Sequence, residues 1–170
     1  MAVFRYVVIY TMMVLFVMSY SAPAYAFFGW YQDKAEVQLS EEGNYDNSYL
    51  VPGDPTETWA YSIYQKQYKD VEAEITYLLG LVEESPYVFI RNGKKVKGVV
   101  AADFVSYKVT KFRDEISTVE DFIEKVGSYS RTSGKSYAVV YPDKAHIPLK
   151  PIYYNELKRL RAIEGRLGSE

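Results

Sequence analysis

The sequence predicts an α+β fold: a single small domain of about four helices packed on a small, mostly antiparallel sheet that contains a hairpin, with an N-terminal extension. Three observations predict it. Apolar residues recur at spacings of three and four from Tyr64 through Tyr68, Val71, Ile75 and Leu78 to Val82, the period of one buried helix face. A β-rich run, Tyr87-Val88-Phe89-Ile90-Arg91, leads into Asn92-Gly93, the pair a tight hairpin favours because both turn residues take positive φ. A second such run, Tyr137-Ala138-Val139-Val140-Tyr141, lies far along the chain, so the sheet needs long-range pairing.

Taken in order, residues 1–26 read as an export signal. Arg5 is the only charge in the first 32 residues, Val7 to Met18 is almost wholly apolar, and residues 21–26 (Ser-Ala-Pro-Ala-Tyr-Ala) form a small-x-small cleavage site. Cleavage after Ala26 leaves 144 of the 170 residues. The rival is an uncleaved anchor, since residues 6–31 are uncharged and about 20 apolar residues span a bilayer. Pro23, Ser19 and Ser21 count against it. The expected location is periplasmic or secreted.

Residues 27–53 read as a poorly ordered, acidic and aromatic arm with Gly43, Asn44, Asp46, Asn47, Ser48, Pro52 and Gly53 breaking any period. Residues 27–70 hold eight acids and three bases, while residues 71–170 hold fourteen acids and sixteen bases. Eighteen tyrosines, several of them between Tyr45 and Tyr68, suit half-wet surfaces or packing at a domain edge.

The α+β domain is expected over residues 54–166. Asp54-Pro55-Thr56-Glu57 starts a helix that could run to Glu84, with Asp70 as a candidate break, and Ser85-Pro86 ends it. The hairpin returns as Lys94–Lys97, whose lysines suit an exposed edge. A second helix spans about Val99 to Asp114, with Ala101, Phe104, Val105, Lys108 and Phe112 on one face. A third starts at Ser117 or Thr118, each three residues before an acid, and buries Val119, Phe122, Ile123 and Val126. Residues 127–135 form a polar loop. Pro142-Asp143 closes the next strand, and His146 falls in a turn-rich stretch. A last helix covers about Ile152 to Arg166, with Tyr153, Leu157, Leu160 and Ile163 inward.

Catalytic chemistry finds little support in the residue types. No cysteine is present, which removes disulfides, thiol nucleophiles and thiolate ligands. His146 is the only histidine, so neither a zinc site nor another metal is expected. Gly134-Lys135-Ser136 lacks the upstream glycine and downstream helix of a phosphate loop. Tyr107 with Lys111 and Tyr154 with Lys158 repeat a Tyr-x-x-x-Lys spacing, but no dinucleotide loop accompanies them, and no cofactor is expected. The near-neutral charge argues against nucleic acid. Lys108 is the oddity, a lysine on an apolar stripe. The expected arrangement is a packed stem with an ammonium that snorkels to water, and the alternative is a buried cation.

The segments Ile75-Thr-Tyr-Leu-Leu79, Phe89-Ile-Arg-Asn-Gly93, Ala101-Ala-Asp103, Lys108, Thr118-Val-Glu-Asp-Phe-Ile123 and Ser133-Gly-Lys-Ser-Tyr137 together resemble the YfeK-like family of small exported bacterial proteins, a domain of unknown function, over about residues 71–162. The resemblance implies a one-domain periplasmic protein with no established activity. Turn, cap and core explain most of these residues. Arg91, Lys108, Ser133, Gly134 and Lys135 are less easily explained, and with Ser130 they make a cationic, hydroxyl-rich candidate binding site. Its expected partner is an anionic group on an envelope protein, a glycan or a lipid head. The preferred reading is thus a non-catalytic binding or assembly module. The alternatives are a hydrolase of envelope polymers using Ser130 or Ser133 with Lys135, and a subunit of a larger envelope complex docked by the arm.

Overall fold

The computed structural model describes residues 45–167. The predicted signal peptide and the first part of the predicted arm, residues 27–44, lie outside the described residues. Five helices and a four-stranded antiparallel sheet make up the described α+β domain. They are α1 (Trp59–Tyr64), α2 (Val71–Glu84), β1 (Val88–Arg91), β2 (Lys94–Lys97), α3 (Gly98–Lys111), α4 (Val119–Asp121, continued as a π-helix over Phe122–Gly127), β3 (Ala138–Val140), β4 (His146–Pro148) and α5 (Leu149–Leu167). Short 3₁₀ turns cover Pro55–Glu57 and Arg113–Glu115. Among the described residues, no helix is long and apolar enough to cross a membrane.

The helix that could have run from Pro55 to Glu84 is instead a 3₁₀ turn and two helices, each start capped by its own side chain. Asp54 accepts from Thr56 N, Thr58 from Tyr61 N and Asp70 from Ala73 N. Glu84 reaches back from the end of α2 and accepts from Trp59 N and Ala60 N at 2.9 and 2.6 Å, which satisfies the opening amides of α1. Tyr68, placed on the apolar stripe by spacing alone, falls in the break and is 85% exposed.

Asn92 and Gly93 turn the hairpin with φ of 51° and 77°. The sheet order is β2-β1-β3-β4. Its register lines up Val96, Phe89, Val139 and Ile147 across all four strands. Residues paired in this way share one face, and this row packs into the core with Leu78, Val105, Phe122 and Tyr153. The strand at His146–Pro148 replaces the expected turn-rich stretch. Three residues are too few for alternation to show, and a tight turn at Lys144 (φ 67°) delivers them to β3.

The predicted capping box forms at Thr118 and Asp121. The helix it starts then widens to the π form. Gly127 comes to lie over the ring of Phe122, five residues back, where an added Cβ would stand 2.8 Å from the ring. In α5, Tyr153, Leu157, Leu160 and Ile163 are buried as the spacing predicts. The hydroxyls of Tyr77 and Tyr153 are buried without a hydrogen-bond partner. Burying an unpaired hydroxyl costs free energy, so Tyr153→Phe is expected to leave stability unchanged or raise it by about 1 kcal/mol, read from urea unfolding.

The irregular segment from Tyr45 to Gly53 is fastened to α5 by side chains. Glu156, fully buried, accepts from Leu50 N at 2.6 Å and holds Arg159 at 3.2 Å. Arg159 donates to Gly53 O at 2.6 Å and stacks 4.1 Å from the Tyr49 ring centroid. Asn155 donates to Tyr45 O and Ser48 O, Tyr141 to Tyr49 O, and Ser85 to Leu50 O. Leu50 enters the core with no exposed surface.

Candidate functional site

The site begins with strand alternation. Arg91 faces the same side of β1 as Phe89, toward α3. Its guanidinium carbon lies 3.4 Å from the centroid of Phe104, so the cation sits over the face of the ring. One helical turn further along α3, on the same face as Phe104, Lys108 points inward. The two cations meet at Tyr137, which enters β3 and faces the core with Val139. The Tyr137 ring stands edge-on to Phe104 at 6.5 Å.

Lys108 is only 4% exposed. Its ammonium donates to Val126 O, to Tyr129 O at 2.7 Å and to the Tyr137 hydroxyl at 3.4 Å. The snorkelling arrangement is therefore corrected to the buried cation. The physical reason is local. The π-helix ends at Gly127, and the chain then turns, leaving the Val126 and Tyr129 carbonyls to find a donor outside the helix. Three oxygens face the three N–H bonds of one ammonium.

The loop from Ser128 to Ser136 is closed on itself. Ser130 N donates to Lys135 O at 2.9 Å, Gly134 N to Ser130 O at 2.7 Å, and Tyr129 bridges to Ser136. Gly134 supplies the positive φ of 69° that the reversal needs. Asn92 ties the hairpin turn to this loop. Its Oδ1 accepts from Ser133 Oγ at 2.8 Å, and its Nδ2 donates to Ser130 Oγ at 3.4 Å.

Of the residues expected at the site, Arg91, Lys108 and Ser130 converge on Tyr137. Ser133 joins them through Asn92. Gly134 acts through its backbone, and Lys135 through its carbonyl, while the Lys135 side chain is exposed. In the sequence alone, Tyr137, Phe104 and Asn92 fit a strand, a helix face and a turn. Strand alternation from Val139 back to Tyr137, and helix spacing from Lys108 back to Phe104, carry the signal that groups them. Arg131 stands nearby and is paired to Glu115 at 2.8 Å.

Burial, with the charges of Arg91 and then Arg131, lowers Lys108 from its ordinary value to about 8. Burial also raises the Tyr137 hydroxyl, against hydrogen bonding and charge from Arg91 and hydrogen bonding from Ser130. The unfolded chain holds the lysine proton up to its ordinary value of 10.5, whereas the folded chain releases it near 8. Between these values the unfolded state binds more protons, so the contribution of Lys108 to stability rises with pH. Stability of the wild type relative to Lys108→Met is expected to climb across pH 8–10.5, by up to about 3 kcal/mol, in urea unfolding at fixed salt.

A cavity of about 680 Å³ lies elsewhere, between α2 and α3, over Ile75, Leu79, Val109 and Ile116. None of the converging cationic residues lines it. Among the described residues, no group of three or more His, Cys, Asp or Glu is arranged to hold a metal ion. Residues 69–161 match the model of a family described as a family of unknown function (DUF5329). No curated protein and no solved structure matches the chain.

Proposed function

The chain belongs to the DUF5329 family of unknown function, and on that premise we propose that it is a non-catalytic binding module of the cell envelope that holds an anionic group of its partner at Arg91. One observation carries the reading. The Nε of Arg91 is buried with no hydrogen-bond partner, and the nearest second cation, Lys108, also has no carboxylate among its contacts. A buried donor left unpaired beside a second positive charge costs free energy that an incoming anion would recover. The envelope setting is supported by the charge and apolar pattern of residues 1–26 and by the resemblance to exported bacterial proteins. For the hydrolase alternative, Ser133 directs its proton to Asn92 rather than to a base, and the Lys135 side chain points to solvent.

The test is crosslinking in intact cells from a photoreactive residue at position 135, beside the site, in the wild type and in Arg91→Ala. The expected result is an envelope adduct in the wild type that falls about tenfold in the variant, as the loss of one charge-assisted contact predicts. Equal adduct yields at equal protein level would remove Arg91 from recognition. N-terminal sequencing of the cell-purified protein should begin at Phe27, and a chain that still begins at Met1 would remove the cleaved-signal reading.

A further inference from the structure

We propose a second binding site, independent of the one at Arg91: the cleft between α2 and α3 takes a single-chain cationic amphiphile, an alkyl chain that carries an ammonium head. The packing of the two helices makes the cleft. They run antiparallel. At one end Gly98 brings the start of α3 against the backbone of Val82 and Glu83, too close for any side chain between them. At the other end lies the cavity of about 680 Å³, with residues from the start of α2 on one wall and from the end of α3 on the other. That volume is in the range of small-molecule sites.

The lining is segregated as an amphiphile requires. Ile75 is buried in the floor, while Val71, Leu79, Val109 and Ile116 are only half-buried, so an apolar chain laid over them removes their remaining surface from water. The charged lining residues, Asp70, Glu72, Arg113 and Asp114, gather at the start of α2 and just past the end of α3. Three acids and one base leave that end with a net charge of −2 (−3 plus 1). The one base is already paired, Arg113 with Glu72 at 2.9 Å. The neighbouring lysines face elsewhere: Lys69 donates to Tyr64 O and sits over the Tyr64 ring, and the Lys111 ammonium lies over Phe112. Helix dipoles do not reverse the sign. The positive start of α2 stands beside the negative end of α3, and the Asp70 side chain already caps Ala73 N. From Val71 to Leu79 the helix rises about 12 Å, the reach of an octyl chain with its head at the acids. A helical peptide is about 10 Å across and needs a trough open at both ends, which the approach at Gly98 denies.

The probes are octyltrimethylammonium, octyl sulfate and octyl glucoside, which share one chain and differ in head charge. Each is titrated below its micelle concentration into the full described domain, ¹³C-labelled at its methyl groups, at pH 7 and constant ionic strength. The expected result is a saturable shift of the Leu79, Val109 and Ile116 methyls with octyltrimethylammonium, about tenfold tighter than with octyl sulfate and tighter than with octyl glucoside. The methyls of Leu81 and Val126, fully buried in the core, should stay in place. Two variants carry the assignment. Asp114→Lys, at an exposed position, brings the net charge of the cleft from −2 to 0 and should abolish the preference for the cation. Val109→Phe fills the cleft and should weaken all three probes about tenfold. Octyl sulfate or octyl glucoside binding as tightly as the cation would overturn the cationic class. No shift up to about 10 mM, shifts spread through the core, or unchanged binding in folded Val109→Phe would overturn the site itself.

Discussion

Replacing Glu156 with alanine is expected to destabilise the domain by about 3–5 kcal/mol, the largest effect of any single polar substitution in it. The carboxylate has no exposed surface and works in three directions at once. It accepts from Leu50 N, it receives a backbone hydrogen bond from Val51, and it pairs with Arg159. Alanine would leave two amides and a largely covered guanidinium without their acceptor, and each buried unpaired donor costs about 1–3 kcal/mol. Arg159 would then hold Gly53 O and Tyr49 with no counter-charge beside it. Glu156→Gln keeps one acceptor oxygen and much of the volume, so its cost should be about half as large or less. The measurement is the urea midpoint at an unchanged slope. A loss under about 1 kcal/mol for Glu156→Ala would show that water replaces the carboxylate and that the segment is not held as described. Burial raises the Glu156 carboxyl above its ordinary range, against Arg159, Leu50 and Val51. The folded state then binds the proton more tightly than the unfolded chain, so this group's contribution falls as pH rises through its titration. Glu156→Gln should flatten that slope.

Gly98→Ala is expected to cost about 3 kcal/mol or more. A Cβ at this position would lie 2.1 Å from Val82 O and 3.1 Å from Glu83 O. Those atoms are backbone at the end of α2, so no side chain can swing aside, and α3 would have to retreat from its neighbour. The shift would pass into Val105 and Lys108 further along α3, both of which are buried. Gly165→Ala is the matched comparison: it is also helical and meets nothing within 4 Å, so it should be neutral or stabilise by up to about 1 kcal/mol. Thermal unfolding of both variants reads the contrast. Equal midpoints would mean that α3 can slide freely on α2.

Local signals were legible in the sequence because each depends on residues close along the chain. Asn92-Gly93 specifies its turn, Thr118 and Asp121 their capping box, and the spacing in α5 its buried stripe. The break before α2 was less clear, because the periodicity crosses Tyr68 while the cap at Asp70 overrides it. Three features were out of reach. The π form of Phe122–Gly127 depends on a glycine beneath an aromatic ring, a packing relation rather than a pattern. Strand β4 is defined by its partner β3. Glu156 reads as an ordinary helix carboxylate until Leu50, 106 residues earlier, is placed against it. At the candidate site, the charged residues stood out by their type. Tyr137 did not, since one tyrosine among eighteen has no distinguishing local context.

The attachment of Tyr45–Gly53 to α5 has a consequence for the order in which the chain comes together. Synthesis delivers the anchored stretch early and its anchors, Asn155, Glu156 and Arg159, more than a hundred residues later. An intermediate that has made the sheet but has not docked α5 therefore lacks the side chains that accept from Leu50 N and hold Tyr45, Ser48 and Gly53. Closing so long a loop is entropically slow. α5 thus acts as a clasp that holds the early stretch to the rest of the described domain.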